Sequence, residues 1–314
     1  MRGKTPVRAA LLPIVFFLAC LWAGNLFAGE GDVLLARNES SVASADAGGL
    51  TSQGKTSFFN QKWLAAVVSL EILREDADPK PVGTGFLVRT PDRHILLVTT
   101  KHVILGRDGK LLEGLAYRLN DLSGKSILVE DAPLRKQGLG GWFLAPEVDI
   151  ACRFIGWRRT SEIAAIPLDA FLSYKDVQAG TPLLVLGFPL GLRATDHANP
   201  IARKGMAGRS GPKNIVADVQ VFPGNSGGPV VYYPPVKVGS ALSTPLINEE
   251  RFVGVVQAFI PYVEPAVGAH TGRTRVVFEE NSGLAKVIPA DLVHALVTSP
   301  EVRAREEKLP RVGE

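Results

Sequence analysis

A run of six residues in the second half of the chain places the tightest constraint on its fold. The run Gly224–Pro229, with the sequence GNSGGP, frames Ser226 with three glycines and precedes an apolar segment. Glycine is favoured where the backbone adopts a positive φ or approaches another group closely. Such a turn presents the serine hydroxyl outward and leaves neighbouring N–H groups free, and those groups could stabilise a developing oxyanion. The run therefore indicates either a nucleophile loop or a glycine- and proline-rich turn between two strands.

Two further residues fit the needs of a nucleophilic serine, whose hydroxyl is almost entirely protonated at neutral pH and requires a base. Of the five histidines, only His102 follows a strongly apolar, β-branched stretch, Ile95–Thr100, which predicts a buried strand ending in a turn. The glycine-punctuated run Gly83–Val88 predicts a hairpin partner for that strand. Asp149 interrupts another apolar run, and a partly buried carboxylate needs a hydrogen-bond donor. An imidazole N–H is a suitable one.

In chain order these candidates are His, Asp and Ser, and with their surroundings they resemble a known family. The chain is similar to trypsin-fold serine proteases of the chymotrypsin clan, and within them to the HtrA/Deg branch. Asn225, where animal trypsins usually carry Asp, is the HtrA-like form. The resemblance spans roughly residues 65–296. The matching segments are TKHV at 100–103, DIA at 149–151, LGFPLGL at 186–192, PGNSGGP at 223–229 and SGLAKVIPA at 282–290.

The resemblance implies an all-β fold of two packed six-stranded antiparallel β-barrels with a short C-terminal helix. Many short strands separated by turn residues agree with that architecture. The protease domain would cover residues 61–298, with the barrels meeting near 160–176, and the helix would lie at 289–297 with proline in its first turn. We expect a charged tail at 299–314, and no PDZ domain, which most HtrA proteases carry after the protease domain.

The resemblance also implies a role for each site residue. Ser226 Oγ would attack the scissile carbonyl of a protein or peptide substrate, and His102 would accept its proton and return it to the leaving amine. Asp149 would orient His102. The N–H groups of Gly224 and Ser226 would form the oxyanion hole, with Asn225 setting the turn between them. Nothing in the sequence suggests a metal or an organic cofactor.

Residues around the serine loop, Gly224–Pro229, suggest where substrate binds. In the family, the strand that matches Phe252–Phe259 lines the primary specificity pocket and pairs with the substrate backbone. We therefore predict substrate contacts at Val256, Gln257 and Ala258. Gln220 falls near the position that forms the pocket base in trypsins. Because Gln220 is uncharged, we expect a preference for apolar side chains over Lys or Arg.

Two alternative functions remain open at this point. The GxSxG pattern also occurs in the nucleophile elbow of α/β-hydrolases, where the order is Ser, then Asp or Glu, then His. The partners of Ser226 would then be Glu264, His270, Asp291 and His294. This alternative is disfavoured because β-branched and aromatic residues follow the serine and because the first two hundred residues lack regular βα alternation. The second alternative is a catalytically silent, protein-binding scaffold, against which the intact serine loop argues. The sequence favours a serine endopeptidase, for which the family suggests protein quality control.

The N-terminus predicts export. Residues 1–28 combine a basic start, an apolar stretch and a small-residue end, which is typical of a secretory signal peptide. An uncleaved membrane anchor and lipidation at Cys20 are the alternatives to cleavage. We expect a periplasmic or secreted protein, in which residues 29–60, rich in Ser, Ala, Gly and Asn, form a flexible segment. Cys152 would be the single cysteine of the mature chain, more consistent with a buried strand residue than with a nucleophile.

Charge and size narrow the class of partner. The chain has 314 residues, of which 46% are hydrophobic, enough for one two-barrel unit with tails. The formal net charge is +4, and three of the positive charges lie at the extreme N-terminus, on Arg2, Lys4 and Arg8. Because no basic stripe with interleaved aromatic residues follows, we expect no nucleic-acid partner. Homo-oligomer formation is left open by the sequence.

Overall fold

The computed structural model describes residues 59–156, 160–162, 164–193, 197–234 and 249–310. The signal peptide expected at 1–28, and all of the segment expected at 29–60 except its last two residues, lie outside the described residues. The predicted domain boundaries therefore stay predictions.

The first half of the described chain forms a nine-stranded sheet. Its strands are β1 (Val67–Arg74), β2 (Ala77–Arg89), β3 (Ile95–Thr99), β4 (Leu115–Asp121), β5 (Ser126–Glu130), β6 (Phe143–Leu144), β7 (Ala151–Phe154), β8 (Ser161–Glu162) and β9 (Ile166–Pro167). The strand order is β5-β4-β1-β2-β3-β7-β6, with β8 beside β4 and β9 beside β2. Neighbouring strands are antiparallel except β2 and β9. All five residues of β3 are buried, as its continuous apolar sequence predicts.

The second half forms a closed six-stranded antiparallel barrel. Its strands are β10 (Pro182–Gly187), β11 (Ile201–Arg209), β12 (Ile215–Asp218), β13 (Pro229–Tyr232), β14 (Arg251–Val267) and β15 (Thr274–Pro289), in the order β10-β11-β12-β15-β14-β13. The predicted all-β class is confirmed, and the second half is the six-stranded antiparallel barrel that was expected. The first half differs from the predicted six-stranded barrel. In the described part of the chain it is a nine-stranded sheet whose strand path runs from β5 to β6 without closing, and three of its strands have only two residues.

Aromatic side chains join the two halves. Phe86 of β2 and Phe252 of β14 are both fully buried, with ring centroids 5.0 Å apart. Phe171, in the segment between the halves, lies 4.6 Å from the Phe252 ring. Because a buried aromatic side chain removes about 150–250 Å² from water, this cluster contributes strongly to the contact. The core of the first half therefore extends into the second half, where it includes Phe252, Val255 and Ile288, while the barrel has a further apolar cluster of its own.

Helices are short, as expected for an all-β chain. They are α1 (Lys62–Ala65), α2 (Lys101–Ile104), α3 (Asp131–Leu134), α4 (Ala290–Val297) and α5 (Pro300–Glu306). Tighter or wider single turns occur at Arg135–Leu139, Leu168–Ala170, Tyr174–Asp176 and Pro189–Gly191. None of the helices in the described ranges is long and apolar enough to span a membrane.

Helix α4 is the predicted C-terminal helix, and α5 is an addition within the segment predicted as a charged tail. The Ser299 side chain caps α5 by accepting a hydrogen bond from the Val302 N–H, and Pro300 occupies its first turn. Val302 is fully buried against the core of the first half. Buried apolar surface, together with the cap, therefore folds this segment despite its charge.

A buried ion pair fixes α5 to the first sheet. His94 Nδ1 lies 3.0 Å from Glu306 Oε1, and its Nε2 lies 3.0 Å from the Pro310 carbonyl oxygen. The Thr90 hydroxyl donates to the same carboxylate oxygen. Since both ring nitrogens face acceptors, the imidazolium, which donates from both, satisfies the site best. Burial works to lower the pKa of His94, but the bonds to Glu306 and Pro310 and the charges of Glu306 and Asp92 outweigh it and raise the pKa.

We predict that the free energy of unfolding falls as pH rises above about 6.5, the ordinary pKa of histidine. The folded-state pKa of His94 is raised. Its contribution to stability is therefore complete below the unfolded pKa and is lost as pH rises through the folded pKa. The loss should be about 1.4 kcal/mol for each unit by which the pKa is raised. Denaturant unfolding between about pH 6 and about pH 9 measures it.

The matched control is Glu306→Gln, which keeps the size of the side chain and removes its charge. Its unfolding free energy should change less over the same pH range, because the carboxylate that raises the pKa of His94 is gone. Parallel curves for the wild type and this variant would show that the pair does not set the pH dependence.

Candidate active site

His102 and Asp149 meet because their strands are neighbours. Strands β3 and β7 pair antiparallel, with Thr99 opposite Ala151. His102 follows the end of β3 on the single turn α2, and Asp149 precedes β7, so both lie at the same end of the sheet. His102 Nδ1 is 2.6 Å from Asp149 Oδ2, and the His102 backbone N–H donates to Asp149 Oδ1 at 3.1 Å.

The carboxylate therefore holds the His102 residue from two directions. With Nδ1 donating to Asp149, the neutral ring leaves Nε2 unprotonated and able to accept a proton. Burial works to raise the pKa of the Asp149 carboxyl. The hydrogen bonds and charge of His102, with a hydrogen bond from Gln257, outweigh it and hold that pKa below its ordinary value. Asp149 is thus a carboxylate at neutral pH, as the pairing with a histidine requires.

Ser226 lies in the loop between β12 and β13 and is linked to this pair through one residue of β14. Its hydroxyl donates to the Gln257 carbonyl at 3.2 Å. The Gln257 side-chain amide donates to Asp149 Oδ2 at 3.4 Å. In the described part of the chain the serine hydroxyl is thus held by Gln257 rather than by His102. The structure brings the three predicted catalytic residues to one place and assigns Gln257 a position between two of them.

Two positions of the serine loop require glycine because backbone atoms of other segments lie too close to them for a side chain. Gly224 has φ 98°, and a Cβ there would lie 2.3 Å from the Phe188 carbonyl oxygen. Gly227 has φ 83°, and its Cβ would lie 2.0 Å from the Thr84 carbonyl oxygen. No side chain fits at either position without moving backbone. The glycine run identified in the sequence therefore has a steric cause as well as a conformational one.

Thr84 of β2 ties the first sheet to the serine loop, and sequence reasoning did not identify it. Its fully buried hydroxyl accepts from the Phe188 N–H at 3.0 Å and donates to the Gly224 carbonyl at 2.6 Å. Its backbone N–H donates to the Ser226 carbonyl at 2.9 Å. The sequence signal is a threonine between two glycines, which predicted a hairpin strand but could not reveal a partner 140 positions away.

A turn after β10 fixes one peptide of the serine loop. The Leu190 N–H donates to the Pro223 carbonyl at 2.6 Å. Because a trans peptide points its N–H opposite to its C=O, the Gly224 N–H projects away from Leu190. Leu190 adopts φ 56°, a left-handed conformation uncommon for a residue with a Cβ. Within the described residues, the N–H groups of Gly224 and Ser226 have no hydrogen-bond acceptor.

A buried carboxylate anchors the far side of that turn. Glu71 of β1 is fully buried and receives two hydrogen bonds from the Arg118 guanidinium, at 2.6 and 2.8 Å. Arg193, just beyond the turn, places its Nε 2.9 Å from Glu71 Oε1. Two guanidinium groups thus face one buried carboxylate. The turn that contains Leu190 is bonded to the first sheet at both ends, through Thr84 before the turn and through Glu71 after it.

The predicted substrate-binding residues differ in their surroundings. Gln220 and Ala258 are exposed, and Gln257 is half-buried. Val256 is buried, and its N–H and its carbonyl bond to the serine loop, at Gly228 and Gly227. Val256 therefore supports the loop, and the substrate contacts expected at these four residues stay predictions.

The residues that the hydrolase alternative would need have other contacts than Ser226, and Cys152 is buried. Asp291 accepts from the Ser173 hydroxyl and the Tyr174 N–H, and the His294 ring packs against Phe171. Neither serves Ser226 as the hydrolase alternative requires. Cys152 is buried in β7, as predicted, and burial raises the pKa of its thiol. Within the described ranges, no cluster of three or more His, Cys, Asp or Glu side chains could hold a metal ion.

Comparison with known proteins gives one family match and matches to solved structures. Residues 83–233, which include His102, Asp149 and Ser226, match the trypsin-like peptidase domain family. Among solved structures, an HtrA-type protease, AlgW, with a tripeptide is 15% identical, with a TM-score of 0.45. The match covers 76% of this chain and 61% of that one, so the chain spans about three fifths of that protein's length. No curated protein is a detectable sequence relative.

We predict that Gly227→Ala destabilises the fold by at least about 3 kcal/mol. The added methyl group would lie 2.0 Å from a backbone oxygen of β2. The matched control is Gly180→Ala, because Gly180 has nearly the same φ, +85°, with nothing within 4 Å of an added Cβ. That control should cost only the left-handed strain, about 1–2 kcal/mol. Denaturant unfolding of both variants measures the difference, and equal losses would contradict the steric explanation.

Proposed function

We propose that the chain, whose residues 83–233 match the trypsin-like peptidase domain family, is a serine endopeptidase. It cleaves peptide bonds through an acyl-enzyme intermediate. The observation that carries the proposal is the position of Gln257, whose carbonyl accepts from Ser226 Oγ and whose amide donates to Asp149. A single residue thus joins the serine to the Asp149–His102 pair.

The proposed reaction begins with rotation of the Ser226 hydroxyl from the Gln257 carbonyl towards His102 Nε2. Ser226 Oγ then bonds to the scissile carbonyl carbon as its proton passes to Nε2. Asp149 holds the ring through Nδ1–H and stabilises the imidazolium. Collapse of the intermediate breaks the C–N bond, and the leaving amine takes the proton from His102. Water then attacks the acyl-enzyme with His102 as base, which releases the acid product and restores Ser226.

The free N–H groups of Gly224 and Ser226 support an oxyanion hole. Donors fixed before the reaction stabilise the developing charge without reorganisation during it. Here the bond from Leu190 to the Pro223 carbonyl fixes the orientation of one donor, and the Thr84 hydroxyl on the Gly224 carbonyl fixes the next peptide. Asn225 shapes the turn between the donors, since its side-chain oxygen accepts from the Phe222 N–H at 3.0 Å.

Protein or peptide segments are the proposed substrates, bound beside the exposed Gln220 and Ala258 with an apolar side chain in the pocket. The uncharged Gln220 supports that preference. The signal-like N-terminal sequence supports an exported, periplasmic or secreted location, and the HtrA-like residues of the serine loop support a role in protein quality control. A peptide-library cleavage profile tests the side-chain preference.

One observation favours a second candidate, a catalytically silent scaffold that binds proteins. The Ser226 hydroxyl donates to the Gln257 carbonyl and not to the base. In a silent protein this bond would persist, and the serine would not react. Labelling of the serine therefore separates the two candidates directly.

We predict that a fluorophosphonate probe labels the wild-type chain at Ser226, and that Ser226→Ala and His102→Ala reduce labelling and peptide cleavage by at least about 10³-fold. The matched control is Ser210→Ala, because the Ser210 hydroxyl also donates to a backbone carbonyl, that of Tyr174 at 2.7 Å. Mass spectrometry locates the label. A folded wild-type chain that is neither labelled nor able to cleave denatured protein would support the scaffold instead.

A second prediction concerns Thr84. Thr84→Val keeps the shape of the side chain and removes both of its hydrogen bonds, so kcat for a peptide substrate should fall by about 10²-fold with little change in KM. Thr84→Ser keeps the hydroxyl and should restore most of kcat. Steady-state kinetics, with thermal unfolding to verify folding, measures both. Equal kcat values for the valine variant and the wild type would show that this hydroxyl does not position the oxyanion donors.

A further inference from the structure

The last two strands of the barrel extend well beyond it. Strand β13 pairs with β14 only as far as Val255, and β12 pairs with β15 only from Leu284 onward. Residues 261–267 and 274–281 pair only with each other in the described chain. We call residues 261–281 the projecting hairpin. A two-stranded hairpin is only marginally stable by itself in water, which makes this one a candidate binding surface.

Both faces of the projecting hairpin are apolar. Alternate residues of paired strands share a face, which places Tyr262 with Phe278 on one side and Val263 with Val277 on the other. Each of these four side chains is more than half exposed. Six of the eleven exposed large hydrophobic residues of the described chain lie on this hairpin. A concentration of this kind marks a binding surface, since apolar surface residues are otherwise scattered.

The hairpin is continuous in the chain with residues of the candidate site. Along β14 it continues from Gln257, which contacts both Ser226 and Asp149. Along β15 its base is bonded to the wall that carries Gln220. There, the Asn281 amide donates to the Val221 carbonyl at 2.7 Å, and the Gly283 carbonyl accepts from the Val219 N–H at 3.0 Å. A polypeptide that leaves the site along β14 therefore meets the hairpin next.

Two prolines decide how a partner can bind. Pro261 and Pro265 lack an N–H, and within a sheet proline is tolerated where that position faces away from the paired strand. The outer edge of β14 therefore lacks two of its donors, which disfavours the addition of another strand along it. Binding through the side chains of the two faces remains.

Charge argues against a second copy as the partner. Glu264 and Glu280 lie on the face of Tyr262 and Phe278, and Glu279 lies on the other face. The two arginines of the hairpin, Arg273 and Arg275, lie at or next to its turn, so packing the same face of two copies strand on strand would bring the glutamates together, which is unfavourable in a poorly solvated contact. An extended apolar polypeptide carries no matching row of carboxylates and can pack its side chains against either face.

We propose that the projecting hairpin docks an extended, apolar segment of the polypeptide substrate outside the cleavage site. The inference rests on the proposed peptidase function and adds to it a binding surface for substrate residues that lie outside the cleavage site. The seven residues of β14 in the hairpin span about 24 Å, enough to contact a segment of similar length. Short peptides that fill only the site would not reach it.

The test compares two substrates, denatured casein and a short fluorogenic peptide that spans only the cleavage site. The double variant Tyr262→Ser, Phe278→Ser removes the apolar side chains of one face. Its kcat/KM for casein should fall at least about tenfold, and that for the short peptide less than about twofold. The matched control is Leu122→Ser, because Leu122 is a large hydrophobic residue, 72% exposed, outside the hairpin. That control should leave both values unchanged.

Three results would overturn the proposal. Casein cleavage unchanged in the double variant would show that the hairpin docks nothing needed for turnover. An equal fall for both substrates would show that the substitutions act on the site itself. Light scattering that shows a wild-type oligomer dissociating in the double variant, with casein cleavage retained, would assign the hairpin to a second copy.

A separate measurement distinguishes failure of docking from failure of the proposed function. Fluorescence anisotropy of labelled denatured casein with Ser226→Ala reports binding without turnover. If the wild type cleaves neither substrate, the peptidase function fails. Docking then stands if the serine-to-alanine variant binds casein and the added hairpin substitutions weaken binding at least about tenfold. It falls if they do not.

Discussion

The Thr84 hydroxyl is the contact on which the arrangement of the site depends, because the first sheet, the turn at Pro189–Gly191 and the serine loop meet there. It is fully buried, and both of its hydrogen bonds are made. A hydrogen bond of this kind stabilises by only about 1 kcal/mol, whereas a buried polar group left without its partner costs about 1–3 kcal/mol. The asymmetry means that any conformation in which the turn or the serine loop moves away from β2 is penalised. One side chain thus keeps the serine loop of the barrel in register with β2, the neighbour of the strand that leads to His102.

The sequence was sufficient for the fold class and for identifying three residues that the structure places near one another. The apolar strand before His102, the isolated Asp149 and the glycines around Ser226 each have a short-range signature, and the structure brings them together. The glycines also show the limit of such reasoning. Their number indicated close approach of the backbone, but the group approached is the Thr84 carbonyl of the other half of the chain. No pattern within the loop contains that information.

What the sequence could not predict depends on partners far away in the chain. The strands β6, β8 and β9 have two residues each, too few for a periodicity, and they form because neighbouring strands offer free edges. Glu71 and Arg193 are separated by 122 positions, and composition alone would place both on the surface. Helix α5 lies in a segment whose charge predicts a tail. It is retained by the buried Val302 and by the pairing of Glu306 with His94, which is encoded more than two hundred positions earlier.

At Ser226 the surrounding backbone is fixed by several hydrogen bonds, whereas the side chain is held by one. The peptide between Pro223 and Gly224 is oriented by Leu190, and reversing it would break that bond and the packing of a left-handed residue. The hydroxyl is held by only one bond, to the Gln257 carbonyl. Releasing such a bond costs about 1 kcal/mol, which thermal motion supplies readily. For Ser226 to act as a nucleophile, its side chain therefore needs only to rotate away from the Gln257 carbonyl. The peptides on either side of Gly224 are already held in place by contacts that do not involve the serine hydroxyl.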